Sequence, residues 1–140
     1  MKISTSYHGH IEIDNQQTLT FNQGIPGFLE ETEFVILPLP EAEAFQVLQS
    51  IQTKELAFII TDPFQFFLDY DFQLELQEIE KLQLQQAEDA AVYVLLTMSD
   101  SVEKITANLQ APVIINTKQQ LAKQVILMNT AYETKHRLFE

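Results

Sequence analysis

The sequence predicts an all-β domain, mainly antiparallel and barrel-like or a sandwich, with one or two short helices. Three observations predict it. Apolar residues fall at alternate positions in about nine or ten short runs, each bounded by Gly, Pro, Asn, Asp or Ser. Helical patterns do not alternate with those runs, so a parallel α/β sheet is not expected. Only Leu74–Leu84 carries helical spacing, with Leu76, Ile79 and Leu82 recurring every three residues among Glu and Gln. Closing strands into a barrel, or stacking two sheets, also limits free edges.

Each element has its own reason. In residues 2–7, Ile3, Thr5 and Tyr7 alternate with Lys2, Ser4 and Ser6, and Gly9 turns the chain toward Ile11 and Ile13. Leu19–Phe21 makes a third short strand, so the first two dozen residues read as a meander. Gly24-Ile25-Pro26-Gly27-Phe28 is a turn whose glycines permit positive φ, and Phe28 is placed to plug an apolar interior. Leu29–Glu33 is one helical turn before the strand Phe34–Leu37, and Phe45–Ser50 is the next strand. Ala90–Met98 is apolar and β-branched enough for a buried strand. Ile105–Leu109, Val113–Ile115 and Lys123–Met128 follow as strands. Residues 129–140 lack periodicity and are expected to form a loose tail on a single domain spanning 1–140.

The most informative stretch is Leu56–Tyr70. Leu56, Phe58 and Ile60 fall on one face and Ala57 and Ile59 on the other, which suits a strand covered on both sides. Asp62-Pro63 stops it, because proline has no N–H for a ladder and Asp caps a turn. Phe64, Phe66 and Phe67 come next, then Asp69, Tyr70, Asp71 and Phe72. Rings bordered by carboxylates suit a protein-binding hot spot, since rings bury large area at low entropic cost and charges steer encounter. The same rings could close one end of the core. Strand-like alternation sends Phe64 and Phe66 one way and Phe67 the other, so at least one is expected outside the main core. Core and contact roles both stand for Phe67 and Tyr70.

Composition narrows the functional classes. The 140 residues are 46% hydrophobic and suit one globule that buries roughly two thirds of its unfolded surface. No cysteine is present, which excludes thiol catalysis and cysteine metal sites. No signal-peptide core or membrane span is evident, which points to the cytoplasm. Twenty acids against eight bases give a net charge of -12, unfavourable for direct binding of nucleic acid. Residues 1–100 hold seventeen acids and three bases, net -14, while residues 101–140 hold three acids and five bases, net +2. Such a face keeps a protein soluble, and it also attracts a basic protein partner.

No catalytic constellation emerges. His8 and His10 would share a strand face, but no further ligand accompanies them, so no metal site is expected. Asp62, Asp69 and Asp71 lack a positioned base or a glycine loop; a hydrolase built on them is a weak rival reading. A second rival is a small-ligand carrier using the barrel interior. The apolar residues look sufficient to fill a small barrel, which counts against it.

Several ordered segments carry a family resemblance. Tyr7-His8-Gly9 with Ile11–Asp14, GIPGF at Gly24–Phe28, FVILPL at Phe34–Leu39 and LQS at Leu48–Ser50 belong to the set. So do ELAFIITDPFQFFLDYDF at Glu55–Phe72 and TANLQAPVIINTKQQLAKQVIL at Thr106–Leu127. Together they resemble the flagellar assembly factor FliW family across nearly the whole chain. The resemblance implies a non-enzymatic β-barrel-like protein, without cofactor, that holds flagellin before export. It also implies antagonism of CsrA, the basic RNA-binding regulator that represses translation of flagellin mRNA. A monomer is expected. Phe64, Phe67, Asp69, Tyr70 and Asp71 are the partner-binding candidates, and Asn108, Pro112 and Asn116 carry over as motif positions with contact or turn-forming roles.

Overall fold

The computed structural model describes residues 1–139. Eleven strands and one α-helix are present among them. They are β1 (Lys2–Thr5), β2 (Gly9–Glu12), β3 (Leu19–Thr20), β4 (Glu33–Pro38), β5 (Gln46–Ser50), β6 (Ala57–Thr61) and β7 (Ala90–Thr97). After these come β8 (Thr106–Ala107), β9 (Val113–Asn116), β10 (Leu121–Gln124) and β11 (His136–Arg137), with the helix α1 at Leu76–Lys81.

Seven strands close a barrel in the order β7-β6-β5-β4-β3-β10-β9, and β9 returns to β7. All pairs are antiparallel except β3 with β10, which run parallel at Thr20 opposite Leu121. The closing strand is β7. Its start pairs with β9 (Ala91 opposite Ile115), its middle with β6 (Ile60 opposite Leu95), and its end with β8, which carries β11 outside the ring. The predicted all-β, barrel-like architecture is the one observed.

Alternation along the strands sorts side chains to two sides. Leu19, Phe34, Leu48, Ile60, Val113, Ile115 and Ala122 fill the lumen together with Phe21. Phe21 and Phe34 meet edge to face at 5.2 Å, the favoured geometry for a ring pair. Three further clusters cover the outside of the ring. Ile3 and Ile13 of the β1–β2 arm lie on Val35, Val47 and Ile59. Tyr70 and Leu138 lie on Val94 and Ala107. Leu82 lies on Ile114, Val125 and Leu127. The predicted two-sided burial of the central strand follows from this, with Phe58 and Ile60 facing the lumen cluster and Ala57 and Ile59 the arm.

Several boundaries differ, each for a local reason. The first strand ends at Thr5 instead of Tyr7, because Thr5 Oγ1 accepts from His8 N at 2.8 Å and donates to Gly9 O at 2.9 Å. The third strand joins the barrel and does not extend the hairpin. Gly24 is required: it has φ 68, and a Cβ there would meet the Leu29 carbonyl oxygen at 2.4 Å. Phe28 does not plug the interior but remains 43% exposed, edge-on to Phe58 at 5.7 Å.

The helix is only Leu76–Lys81, and Leu76 points to solvent while Leu82 is buried. Spacing by three explains this. Each step of three turns about 300°, so the stripe drifts by about 60° per step and Leu76 and Leu82 cannot share one face. Residues 125–128 leave the ladder yet keep strand alternation, with Val125 N and Leu127 N donating to Pro112 O and Gln110 O.

The expected loose tail is corrected. Leu109 N and Gln110 N donate to Glu133 O, Leu138 N donates to Ile105 O at 3.0 Å, and β11 pairs with β8. Leu138 is buried and Tyr132 meets Tyr70 edge to face at 4.8 Å. Two paired residues and isolated apolar anchors hold this segment, too few for any periodicity to register. Glu140 lies outside the described residues.

Candidate functional site

The segment after β6 folds as its sequence dictates. Asp62 Oδ1 accepts from Phe64 N at 2.9 Å, Pro63 opens a short 3-10 turn, and Phe67 N donates to Pro63 O at 2.8 Å. This compact turn replaces strand alternation, so the rings are distributed differently from the strand-based expectation. Phe64 is 43% exposed and Leu68 87% exposed. Phe66 and Phe67 are half-buried, against Phe45 and Phe139 and against His136 respectively.

Tyr70 is buried, and its hydroxyl donates to Leu109 O at 2.7 Å. Burial, and secondarily the Tyr132 phenol, push its pKa well above the usual phenol range. It is therefore a strut between the aromatic segment and the β8–β9 connection, and it does not belong among surface contacts. Asp69 and Asp71 are exposed beside it.

Of the three carried-over motif positions, Pro112 and Asn116 are buried and Asn108 is half-buried. Asn108 Oδ1 accepts from Ala111 N at 3.0 Å and shapes the turn into buried Pro112. Asn116 is 1% exposed. Its Nδ2 donates to Leu82 O (2.8 Å) and Gln83 O (3.1 Å), and its Oδ1 accepts from Lys118 N (3.0 Å) and Gln119 N (3.1 Å). All four bonds serve the fold. Asn108 and Asn116 hold backbone in place, and buried Pro112 and Asn116 present no side chain at the surface.

An apolar groove near Phe64–Tyr70 is what the sequence suggests for a helical partner segment, but the sequence does not disclose which residues line it. A cavity of about 480 Å³ lies outside the barrel, floored by Ala90, Val92 and Ile114 and banked by Phe64 and Phe72 on one side and Ile79 and Leu84 on the other. Across Phe72 and Leu74 lies a second hollow of about 330 Å³, bounded by Glu75, Glu78 and residues 125–128. Exposed Ile126 and Met128 extend the apolar surface beside exposed Leu76, and carboxylates edge it, Asp71 at the first hollow and Glu75 and Glu78 at the second. The only signal of this extension in the sequence was the misfit of Leu76, apolar at a position where the helix faces water.

Two ion pairs hold the segment containing α1 against the barrel. Lys123 bonds Glu78, and Lys118 Nζ lies 3.0 Å from buried Asp89 Oδ1. The hydrogen bond from Lys118, with help from Gln86, holds the Asp89 carboxyl below its ordinary pKa against the opposing effect of desolvation. A depressed folded-state pKa gives stability that is present above the unfolded pKa and lost as pH falls through the folded one. Urea midpoints measured from neutral pH into the carboxylate range should thus fall less steeply in Asp89→Asn than in wild type.

The catalytic alternatives find little support in this geometry. Asp62 is occupied as a cap, His8 Nε2 bonds Pro38 O, and His10 Nδ1 bonds Ser4 Oγ. Among the described residues no group of three or more His, Asp or Glu could hold a metal ion, and no helix is long and apolar enough to cross a membrane.

Comparison with known proteins agrees with the architecture. The family model described as FliW protein matches residues 2–138. The flagellar assembly factor FliW of Geobacillus kaustophilus is 52% identical over 139 residues, covering 99% of this chain and 96% of that protein. That of Bacillus subtilis is 48% identical over 136 residues, covering 97% and 95%. A crystal structure of the flagellar assembly factor FliW superposes with a TM-score of 0.95 at 49% identity, covering 100% of this chain and 98% of the other. With this sequence match and this fold, the chain belongs to the FliW family of flagellar assembly factors.

Proposed function

We propose that this flagellar assembly factor acts by binding two proteins in the cytoplasm, flagellin and the translational regulator CsrA, and performs no catalysis. In this reading it works as a single folded unit and a monomer. Each partner lowers the free concentration available to the other, so export of flagellin releases the factor to bind CsrA and relieve repression of flagellin mRNA. The observation that carries the reading is the exposed Phe64–Leu68 turn beside an apolar groove edged with carboxylates. Such a groove suits an amphipathic helix laid apolar face down, and it is the expected seat for flagellin.

Phe64→Ala and Leu68→Ala should each weaken flagellin binding by about 1–3 kcal/mol, the range of interface anchors, with little loss of stability since both side chains are largely outside the core. Isothermal titration calorimetry of the folded variants tests this; unchanged affinity in both would remove the site. Phe67, Asp69 and Asp71 remain contact candidates at the edge of the same surface.

The acidic residues 1–100 are proposed to dock beside the RNA-binding face of CsrA and repel RNA from it. Exposed charges are screened over ~10 Å at 0.1 M salt. Affinity for CsrA should therefore fall as salt rises, and affinity indifferent to salt would refute an electrostatic mechanism.

A further inference from the structure

The lumen of the barrel is not closed at both ends. Ala91 and Tyr93 point inward from β7, on the opposite side from Ala90 and Val92, which floor the outer groove. In a filled barrel such side chains would be buried, yet Ala91, Tyr93 and Ile36 on β4 are only half-buried. They surround a cavity of about 300 Å³ whose floor is completed by Leu19 and Ile115. The β9–β10 turn and the turn before β3 form its edge.

That edge is polar but uncharged. It consists of Gln16, Gln17, Thr117 and Gln120. In a chain with twenty acids and eight bases, none of the residues lining this mouth is ionisable at neutral pH. Gln120 is fixed by its own backbone, in the left-handed region at φ 57, and its amide nitrogen donates to Gln16 O. Its Oε1 is then left as an acceptor, and the Gln17 amide, whose Oε1 accepts from Asp14 N at 2.8 Å, keeps its donors. An apolar floor with one ring and a few fixed amides around it is the usual make-up of a small-molecule site, and barrel mouths are a usual place for one.

We propose that this mouth binds a small neutral ring compound carrying a hydrogen-bonding group. The apolar floor takes the ring, the glutamine amides take the polar end, and the absence of a charged group disfavours ions. The volume lies at the low end of ligand pockets, about 300–1,000 Å³, which restricts the compound to one or two fused rings. This site is separate from the protein-binding surface, since it lies on the other side of β7 and β9, and it does not depend on the identity of the partners.

The test is a methyl NMR titration of the intact protein with indole as the neutral probe and benzoate as an anionic one. Indole should give saturable shifts at the Leu19, Ile36 and Ile115 methyls, and benzoate should give none. Ala91→Phe fills the mouth from one wall and Ile36→Phe from another; either, if folded, should weaken indole binding at least about tenfold. The absence of saturable indole shifts, equal binding of benzoate, or undiminished binding in a folded variant would overturn the proposal. If neither variant folds, the wild-type titration decides alone: shifts centred on Leu74, Leu84 and Val92 would place the compound in the outer groove and reject the mouth.

Discussion

Tyr70→Ala is expected to lower the unfolding free energy by about 3–5 kcal/mol, the range for deleting a buried ring. Its ring fills the space between Phe64, Phe72 and Tyr132, at centroid distances of 5.8, 5.3 and 4.8 Å. Its hydroxyl satisfies Leu109 O in the interior. Tyr70→Phe keeps the ring and removes only the donor, so about 1–3 kcal/mol should be lost, the cost of a carbonyl left without a partner. Urea denaturation of both variants checks the pair. A loss below about 1 kcal/mol in Tyr70→Ala would mean that the aromatic segment is not anchored as described. Any loss of partner binding in Tyr70→Ala would then follow from unfolding, which is why Phe64 and Leu68 are the informative surface substitutions. The raised pKa adds a pH signature. The unfolded phenol ionises first, so stability present at neutral pH is lost as pH climbs past the ordinary phenol range, and Tyr70→Phe should lose less there.

Asn116→Ala is the second large effect, at about 2–4 kcal/mol, because it strips partners from four backbone groups at once, Leu82 O in the interior and the other three partly buried. The damage should be spatially defined. Leu82 O and Gln83 O belong to the end of the α1 segment, and Gln83 holds φ 55, a conformation that a non-glycine residue keeps only when its surroundings enforce it. Amide hydrogen exchange around Leu82–Leu84 should accelerate in Asn116→Ala far more than exchange in β4 and β5. Uniform acceleration across the barrel would contradict the clamp. Because Ile79 and Leu84 bank the outer groove, a protein with this clamp weakened should also bind flagellin less tightly.

The barrel was legible because its strands alternate and its turns are marked. Phe34–Leu37, Phe45–Ser50 and Val113–Ile115 each correspond to an observed strand, and pairing of neighbours in the chain gives most of the ring. What local patterns could not disclose was pairing between distant pieces. The parallel contact of Thr20 with Leu121 and the closure of β7 on β9 depend on tertiary geometry alone. The candidate site was legible in part. Asp62-Pro63 signalled the turn correctly, yet the direction of each ring depended on that turn being 3-10, and Tyr70 became a core strut as a result. The turn-forming role of Asn116 was legible, and its Oδ1 accepts from Lys118 N and Gln119 N, but nothing in the sequence signals its bonds to Leu82 O and Gln83 O, more than thirty positions away. The walls of the groove were invisible for a related reason: they come from segments that no single periodicity describes.

The most direct test of the account is size-exclusion chromatography of the purified protein mixed with flagellin, with CsrA, and with both. Co-elution with each partner alone is predicted, together with a fall in the CsrA-bound fraction as flagellin is added. Failure to co-elute with either at micromolar concentration would contradict the claim that this protein works by occupying others.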